Sequence, residues 1–166
     1  MDPLLDEIII LTLLRTFPEF MLKNLRVYVR QEAYGPSNNE GLCHESCSAV
    51  SFNGDLNGSL YFCLDGYTKI KILPRIAEHF HVDPTVKGMA SSVMMEFSNQ
   101  LAAGVLNDLE AGGYNLQLDA PVDLSHKLVP FDLETLRQYI MIFFLADRRE
   151  KEYLGRAYLI LTMKSF

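Results

Sequence analysis

The stretch DPTVKGMASSVMMEFSNQLAAGVLNDLEAGG, Asp83 to Gly113, decides how the rest of the 166-residue chain must be organised. It opens on Asp83 and Pro84, a capping acid followed by a first-turn proline, and closes on Gly112-Gly113, which stops a helix. The spacing predicts a helix of about eight turns from Pro84 to Ala111. At about 100° per residue, Met89, Ala90, Val93, Met94, Phe97, Leu101, Val105 and Leu109 fall on one broad arc that must face a core. Ser92, Glu96, Asn99 and Ala103 gather on the other side, because spacings of three and four return side chains to one face. A carboxylate and a carboxamide are therefore predicted to be outward-facing neighbours, with small side chains beside them.

Working outward, Leu4 to Leu22 has helical spacing (Leu4, Ile8, Leu11, Phe17, Met21), and Pro18 is expected to bend or end that helix. Arg26 to Glu32 alternates as a strand does, and Tyr34 to Ser46 is rich in loop-forming residues. Ser48 to Phe52 and Ser59 to Leu64 read as a hairpin across Asn53-Gly54-Asp55-Leu56-Asn57-Gly58. Thr68 to Phe80 reads as a short helix with Pro74 as its weak point.

Beyond the long helix, Tyr114 to Leu118 resumes as a strand and Ala120 to Pro130 as a connection. Tyr139 to Ala146 and Tyr153 to Met163 form a second hairpin over the charged turn Asp147 to Glu152. Its first strand places Tyr139, Met141, Phe143 and Leu145 on one face and Ile140, Ile142 and Phe144 on the other, which implies burial on both. Such a hairpin is either a central pair within one sheet or a strand edge that pairs across a two-fold axis. Helices mixed with largely antiparallel strands predict an α+β fold in which helices pack on one sheet, as a single domain over residues 1–166.

Composition narrows the function. Hydrophobic residues make up 49% and charged residues 22%, as in folded globular proteins. A net charge of -6 without a cluster of basic residues argues against nucleic acid as a partner. The acidic start, with Asp2, Asp6 and Glu7, is unlike a secretory signal, and no run approaches the roughly 18 apolar residues of a membrane span. A cytoplasmic protein with reduced thiols at Cys43, Cys47 and Cys63 is expected. Cys43-His44-Glu45-Ser46-Cys47 lacks the second cluster a zinc site needs, and His79 and His81 are spaced as surface or capping groups, so no metal site is expected. Cys63 has no histidine or acid tied to it by pattern and is expected to pack within a strand.

A lone E-x-x-N is common on exposed helix faces, and alone it carries little. Its setting is more specific. The segment Met94-Met95-Glu96-Phe97-Ser98-Asn99-Gln100-Leu101-Ala102-Ala103-Gly104 resembles the motif helix of the CheC/CheX/FliY family of chemotaxis phosphatases. Leu56 to Asp65 is similar to that family's strand before a short helix, Leu116 to Pro121 to its strand ending near a proline, and Tyr139 to Met163 to its closing hairpin. The resemblance spans roughly Leu56 to Met163, and the single motif copy resembles the CheX branch. The chain departs from the pattern at Ala103, where the family usually has glycine; here glycine comes next, at Gly104.

The resemblance implies a phosphatase acting on the aspartyl phosphate of a CheY-like response regulator. Glu96 and Asn99 would be its catalytic residues, Ser92, Gln100 and Ala103 would meet the partner, and magnesium would sit on the regulator. It also implies a homodimer. The competing expectations are a response-regulator-binding or structural module of the same fold without hydrolysis, and a small-molecule sensor. The sensor would show an occluded Glu96/Asn99 face and a deep apolar pocket elsewhere.

Overall fold

The computed structural model of the protein describes residues 3–37, 44–127 and 137–164. Along these residues the elements run α1 (Pro3–Leu25), β1 (Val27–Pro36), β2 (Ser46–Gly54), β3 (Gly58–Leu64), α2 (Gly66–His79), α3 (Met89–Ala111), β4 (Leu116–Leu118), β5 (Val122–Asp123), β6 (Arg137–Asp147) and β7 (Tyr153–Met163). The strands form one sheet in the order β1-β6-β7-β3-β2-β4, with β5 also paired to β2. Every pairing is antiparallel, so the α+β architecture expected from the sequence is the one that forms.

Alternation along the strands divides the molecule into a large and a small core. Val27 and Val29, Leu60 and Phe62, Met141 and Phe143, and Leu159 and Leu161 point to the face on which all three helices pack. The opposite face carries a smaller cluster of Cys47, Ala49, Tyr61, Cys63 and Ile160. Each fully buried Leu, Ile or Phe in the larger core contributes roughly 1.5–3 kcal/mol relative to an exposed one.

Helix α1 does not end at Pro18. It continues to Leu25, because Phe17 and Met21 on either side of the proline are fully buried, and that packing outweighs one missing backbone hydrogen bond. Its phase also differs from the expected one. The run Ile8 to Leu14 is apolar almost all round, so spacing alone leaves its buried side open. The core takes Ile9, Ile10 and Leu13, whereas Leu11 is 54% exposed and Ile8 half-buried. The side chain of Leu4 lies outside the described residues. Asp6, read from the sequence as part of an acidic start, is buried, where it pairs with Arg137 and accepts a hydrogen bond from the Tyr139 hydroxyl at 2.6 Å.

The long helix starts later than Pro84. Asp83 spends its carboxylate on a turn, accepting from the Thr85 N–H at 2.9 Å and the Thr85 hydroxyl at 2.7 Å. Gly88 then takes a left-handed conformation, φ 80°, which a right-handed helix cannot continue through, so α3 begins at Met89 and runs for 23 residues. It is about six turns long instead of eight. Helix α2 has the cap that α3 lacks: Asp65 accepts from the Thr68 N–H at 2.8 Å.

Other boundaries shift less. β1 extends to Pro36 and β2 starts at Ser46, so the expected Tyr34 to Ser46 loop shortens at both ends, and 38–43 lie outside the described residues. The expected connection from Ala120 contains β5, and its last part, 128–130, also lies outside them.

The β6–β7 hairpin takes the central position. β6 lies between β1 and β7, and β7 between β6 and β3, so neither strand offers a free edge and the two-fold pairing considered for this hairpin has no place there. Burial is deeper on one face: Met141, Phe143 and Leu145 are fully buried and Tyr139 half-buried, while Ile140, Ile142 and Phe144 are all half-buried. The reason is that the helices cover one side of these strands, whereas on the other the Arg30 guanidinium lies 4.6 Å over the Phe144 ring and Tyr153 stacks on it at 5.1 Å.

Candidate functional site on the outer face of α3

The sequence of α3 sets which way its side chains point. Val93, Met94, Phe97, Ser98, Leu101, Ala102, Val105 and Leu109 are buried, and their arc is centred opposite the direction of Glu96 and Asn99. Six of the eight residues expected in the core are there; Met89 and Ala90, in the uncapped first turn, are half-buried. Phe97 fixes the rotation of the helix. Its ring is fully buried and meets Phe20 at 4.8 Å, Phe62 at 5.9 Å and His79 edge-on at 6.4 Å.

Both ends of the helix are tied down by polar contacts. Near its start, the Ser91 hydroxyl donates to Asp123 on β5 at 2.6 Å. Near its end, the Thr16 hydroxyl of α1 donates to Asp108 at 2.6 Å, with Arg15 3.7 Å from the same carboxylate. Ser98 is buried one residue from the pair of interest, and its hydroxyl donates to the Met94 carbonyl at 2.9 Å, so it is satisfied within the helix.

With the helix held in this rotation, Glu96 is exposed and Asn99 partly exposed, one turn apart on the solvent side. Neither side chain has a hydrogen-bond or ion-pair partner among the described residues. Ser92 is exposed, and Gln100 and Ala103 are half-buried around them. All five residues singled out in the sequence therefore lie on one outward surface. The small-residue stretch behaves less simply. Ala102 is buried, and a methyl group on Gly104 would stand in van der Waals contact with Thr16 of α1, so only Ala103 of the three belongs to the outer face. The Ser91–Asp123 tie had no signal in the sequence, because its partners are 32 residues apart on an exceptionally short strand.

Chemically, the surface offers a carboxylate that can accept from a cation and an amide that can donate and accept at once. Among the described residues no three His, Cys, Asp or Glu side chains converge as a metal site would require, and Cys43 lies outside them. The apolar pocket bounded by α1, α3 and β4 holds only about 20 Å³. A cleft of about 650 Å³ lies elsewhere, where Arg26, Arg75, His79 and the β6–β7 turn meet, and it is mostly polar. A third, open hollow of about 490 Å³ lies beside α2, between Ile70, Leu73 and Pro84. The exposed motif face is the opposite of the occluded face that a small-molecule sensor would show.

Solved structures of chemotaxis proteins share this fold. A chemotaxis protein CheX from Desulfovibrio desulfuricans matches at 10% identity with a TM-score of 0.75, over 94% of this chain and 99% of that one. Chemotaxis protein CheX from Vibrio vulnificus matches at 14% identity and a TM-score of 0.72, over 94% and 99%. The CheX-CheY-BeF3-Mg2+ complex from Borrelia burgdorferi matches at 13% identity and 0.65, over 94% and 97%. These chains share the CheX-type fold. The sequence itself matches the family model for chemotaxis phosphatase CheX over residues 46–145, more than half of the chain, and the protein belongs to the CheX family. No curated protein sequence matches. No helix among the described residues is long and apolar enough to cross a membrane.

Proposed function

We propose that this CheX-family protein hydrolyses the aspartyl phosphate of a CheY-like response regulator in the cytoplasm, using Glu96 and Asn99. The observation that carries the reading is the pair itself: a carboxylate and a carboxamide, one turn apart on the solvent side, with no partner among the described residues. Polar groups on a rigid element that satisfy nothing among the described residues are available to another protein.

Hydrolysis of an acyl phosphate needs a water placed in line with phosphorus, opposite the leaving carboxylate. Asn99 suits this task because a neutral amide orients water without bringing negative charge to an anionic phosphoryl group. Glu96 is the wrong charge for direct contact, since two anions at about 4 Å repel by about 4 kcal/mol at an effective dielectric near 20. Its natural partner is a cation, and the active-site lysine of the regulator would fix α3 in register. Magnesium would belong to the acidic cluster of the regulator. Ser92, Gln100 and Ala103 would form the contact surface around the pair, with Ala103 adding one methyl group where the family usually has none.

The family match and the likeness to a CheX in complex with CheY support a role beside CheY. The test is phosphate release from phosphorylated response regulators. Asn99→Ala should abolish the acceleration while leaving regulator binding largely intact, and Glu96→Ala should weaken both. Binding by the unaltered protein without faster phosphate release would overturn the catalytic reading and leave a recognition module.

A homodimer is part of the proposal, placed at the outer edge of β1. Among the described residues that strand pairs with β6 on one side and with nothing on the other. Sedimentation of the unaltered chain beside a variant with proline at Val29 tests it, and monomers in both would remove the dimer.

A further inference from the structure

Cys47 and Cys63 stand directly opposite each other on β2 and β3, on the sheet face away from the helices. Their sulfur atoms are 3.0 Å apart, the Cys63 thiol donating to Cys47, and both side chains are fully buried. The kind of pair they form follows from the backbone. The Cys47 N–H donates to the Ser125 hydroxyl at 3.1 Å, and its carbonyl accepts from the Leu124 N–H at 2.8 Å. Both backbone groups thus point away from β3, which makes Cys47 and Cys63 a non-hydrogen-bonded cross-strand pair. Such pairs hold their Cα atoms about 4.5 Å apart, within the range a disulfide spans.

We propose that Cys47 and Cys63 are a modification site at which a peroxide closes a reversible cross-strand disulfide. One thiol attacks the peroxide and becomes a sulfenic acid with release of water. The second thiol then displaces hydroxide from that sulfur, forming the S–S bond and a second water. The two sulfur atoms together give up two electrons, and the peroxide takes them. A dithiol reductant reverses the bond.

The roof over the pair sets the rate. Leu124 and Ser125 cover Cys47, and Asp123 anchors them by accepting from the Ser125 N–H at 2.9 Å and from Ser91 of α3 at 2.6 Å. Burial pushes the Cys63 thiol well above the ordinary range, so the covered pair is unreactive and oxidation waits for this short segment to lift. The segment is held to β2 by two ladder positions, Ser48 with Asp123 and Ala49 with Val122, and by the Leu124 and Ser125 bonds to Cys47.

The experiment treats the full chain with hydrogen peroxide, digests it without reduction and identifies linked peptides by mass spectrometry. A Cys47–Cys63 link that dithiothreitol removes is expected, with the same link in Cys43→Ser and none in Cys47→Ser. Ser91→Ala, which frees the roof from α3, should speed loss of the two thiols about fivefold, the effect of one net hydrogen bond. A link that needs Cys43, sulfinic acid without any link, or an unchanged rate in Ser91→Ala would each overturn the proposal. None of these readings depends on phosphatase activity.

Discussion

The β6–β7 hairpin and the outer face of α3 use polar side chains in opposite ways. At one end of the hairpin the buried Asp6 holds Arg137 and Tyr139, and at the other Asp147 takes Arg75 at 2.7 Å and the backbone N–H groups of Arg149 and Glu150 at 2.8 Å. Each of these groups fastens the sheet to a helix or closes the turn. On α3, Glu96 and Asn99 fasten nothing among the described residues. A buried polar group must be paired, because leaving it unsatisfied costs about 1–3 kcal/mol, whereas an exposed one can wait for a partner from outside. What separates Asp6 and Asp147 from Glu96 is that the described fold already uses the first two.

The contrast can be broken most severely at Phe97, the ring that turns one face of α3 inward and the other outward. Phe97→Ala should destabilise the protein by about 3–5 kcal/mol in urea unfolding, and a loss below about 1 kcal/mol would mean that the three rings around it do not set the helix rotation. Next comes Gly155 in β7, whose φ of 111° favours glycine and whose missing side chain leaves room for Thr68. Gly155→Ala should cost about 2–3 kcal/mol by the same measurement, from backbone strain together with displacement of the Thr68 hydroxyl.

The hairpin ends sharpen the comparison through pH. The N–H of Glu150, the Arg75 guanidinium and the N–H of Arg149 hold the Asp147 carboxyl down to about 2, against 3.8 unperturbed. Stability from this turn is therefore intact above about pH 4 and lost as pH falls toward 2, and Asp147→Asn should flatten that limb of the thermal melts. Burial and the hydrogen bond to Asp6 push Tyr139 up to about 12 from 10.0, so its neutral form is favoured by folding and stability is lost as pH rises between those values. Tyr139→Phe should remove that alkaline loss. The smallest effect belongs to the motif. The Glu96→Gln, Asn99→Ala double variant should leave unfolding free energy within about 0.5 kcal/mol, and a larger loss would show that the pair is already engaged by its own fold.

Much of this was legible along the chain, for reasons that differ by element. The outward face of α3 could be read because a run with apolar residues at Val93, Phe97, Leu101 and Val105 has one way to face a core. The same rule misplaced α1, where Ile8 to Leu14 is apolar on nearly every side and only contact with the sheet selects Ile9, Ile10 and Leu13 over Leu11. Asp83 looked like a helix cap because acid followed by proline is the usual cap signal, yet its carboxylate bonds Thr85 two residues on and Gly88 restarts the chain. Cys63 was expected within a strand and is there, but the strand expected opposite it began at Ser48, one residue short of Cys47, so the pair was not read.

The amino-acid order alone determined the α+β class, the two hairpins, the family resemblance and the neighbourhood of Glu96 and Asn99, because each of these depends on residues close together in sequence. The tertiary structure alone decided which side of α1 is buried, that the β6–β7 hairpin sits inside the sheet, and that Asp6 is buried. Those outcomes depend on which distant segments meet, and the meeting is selected by shape and burial over the whole chain, which no local pattern encodes.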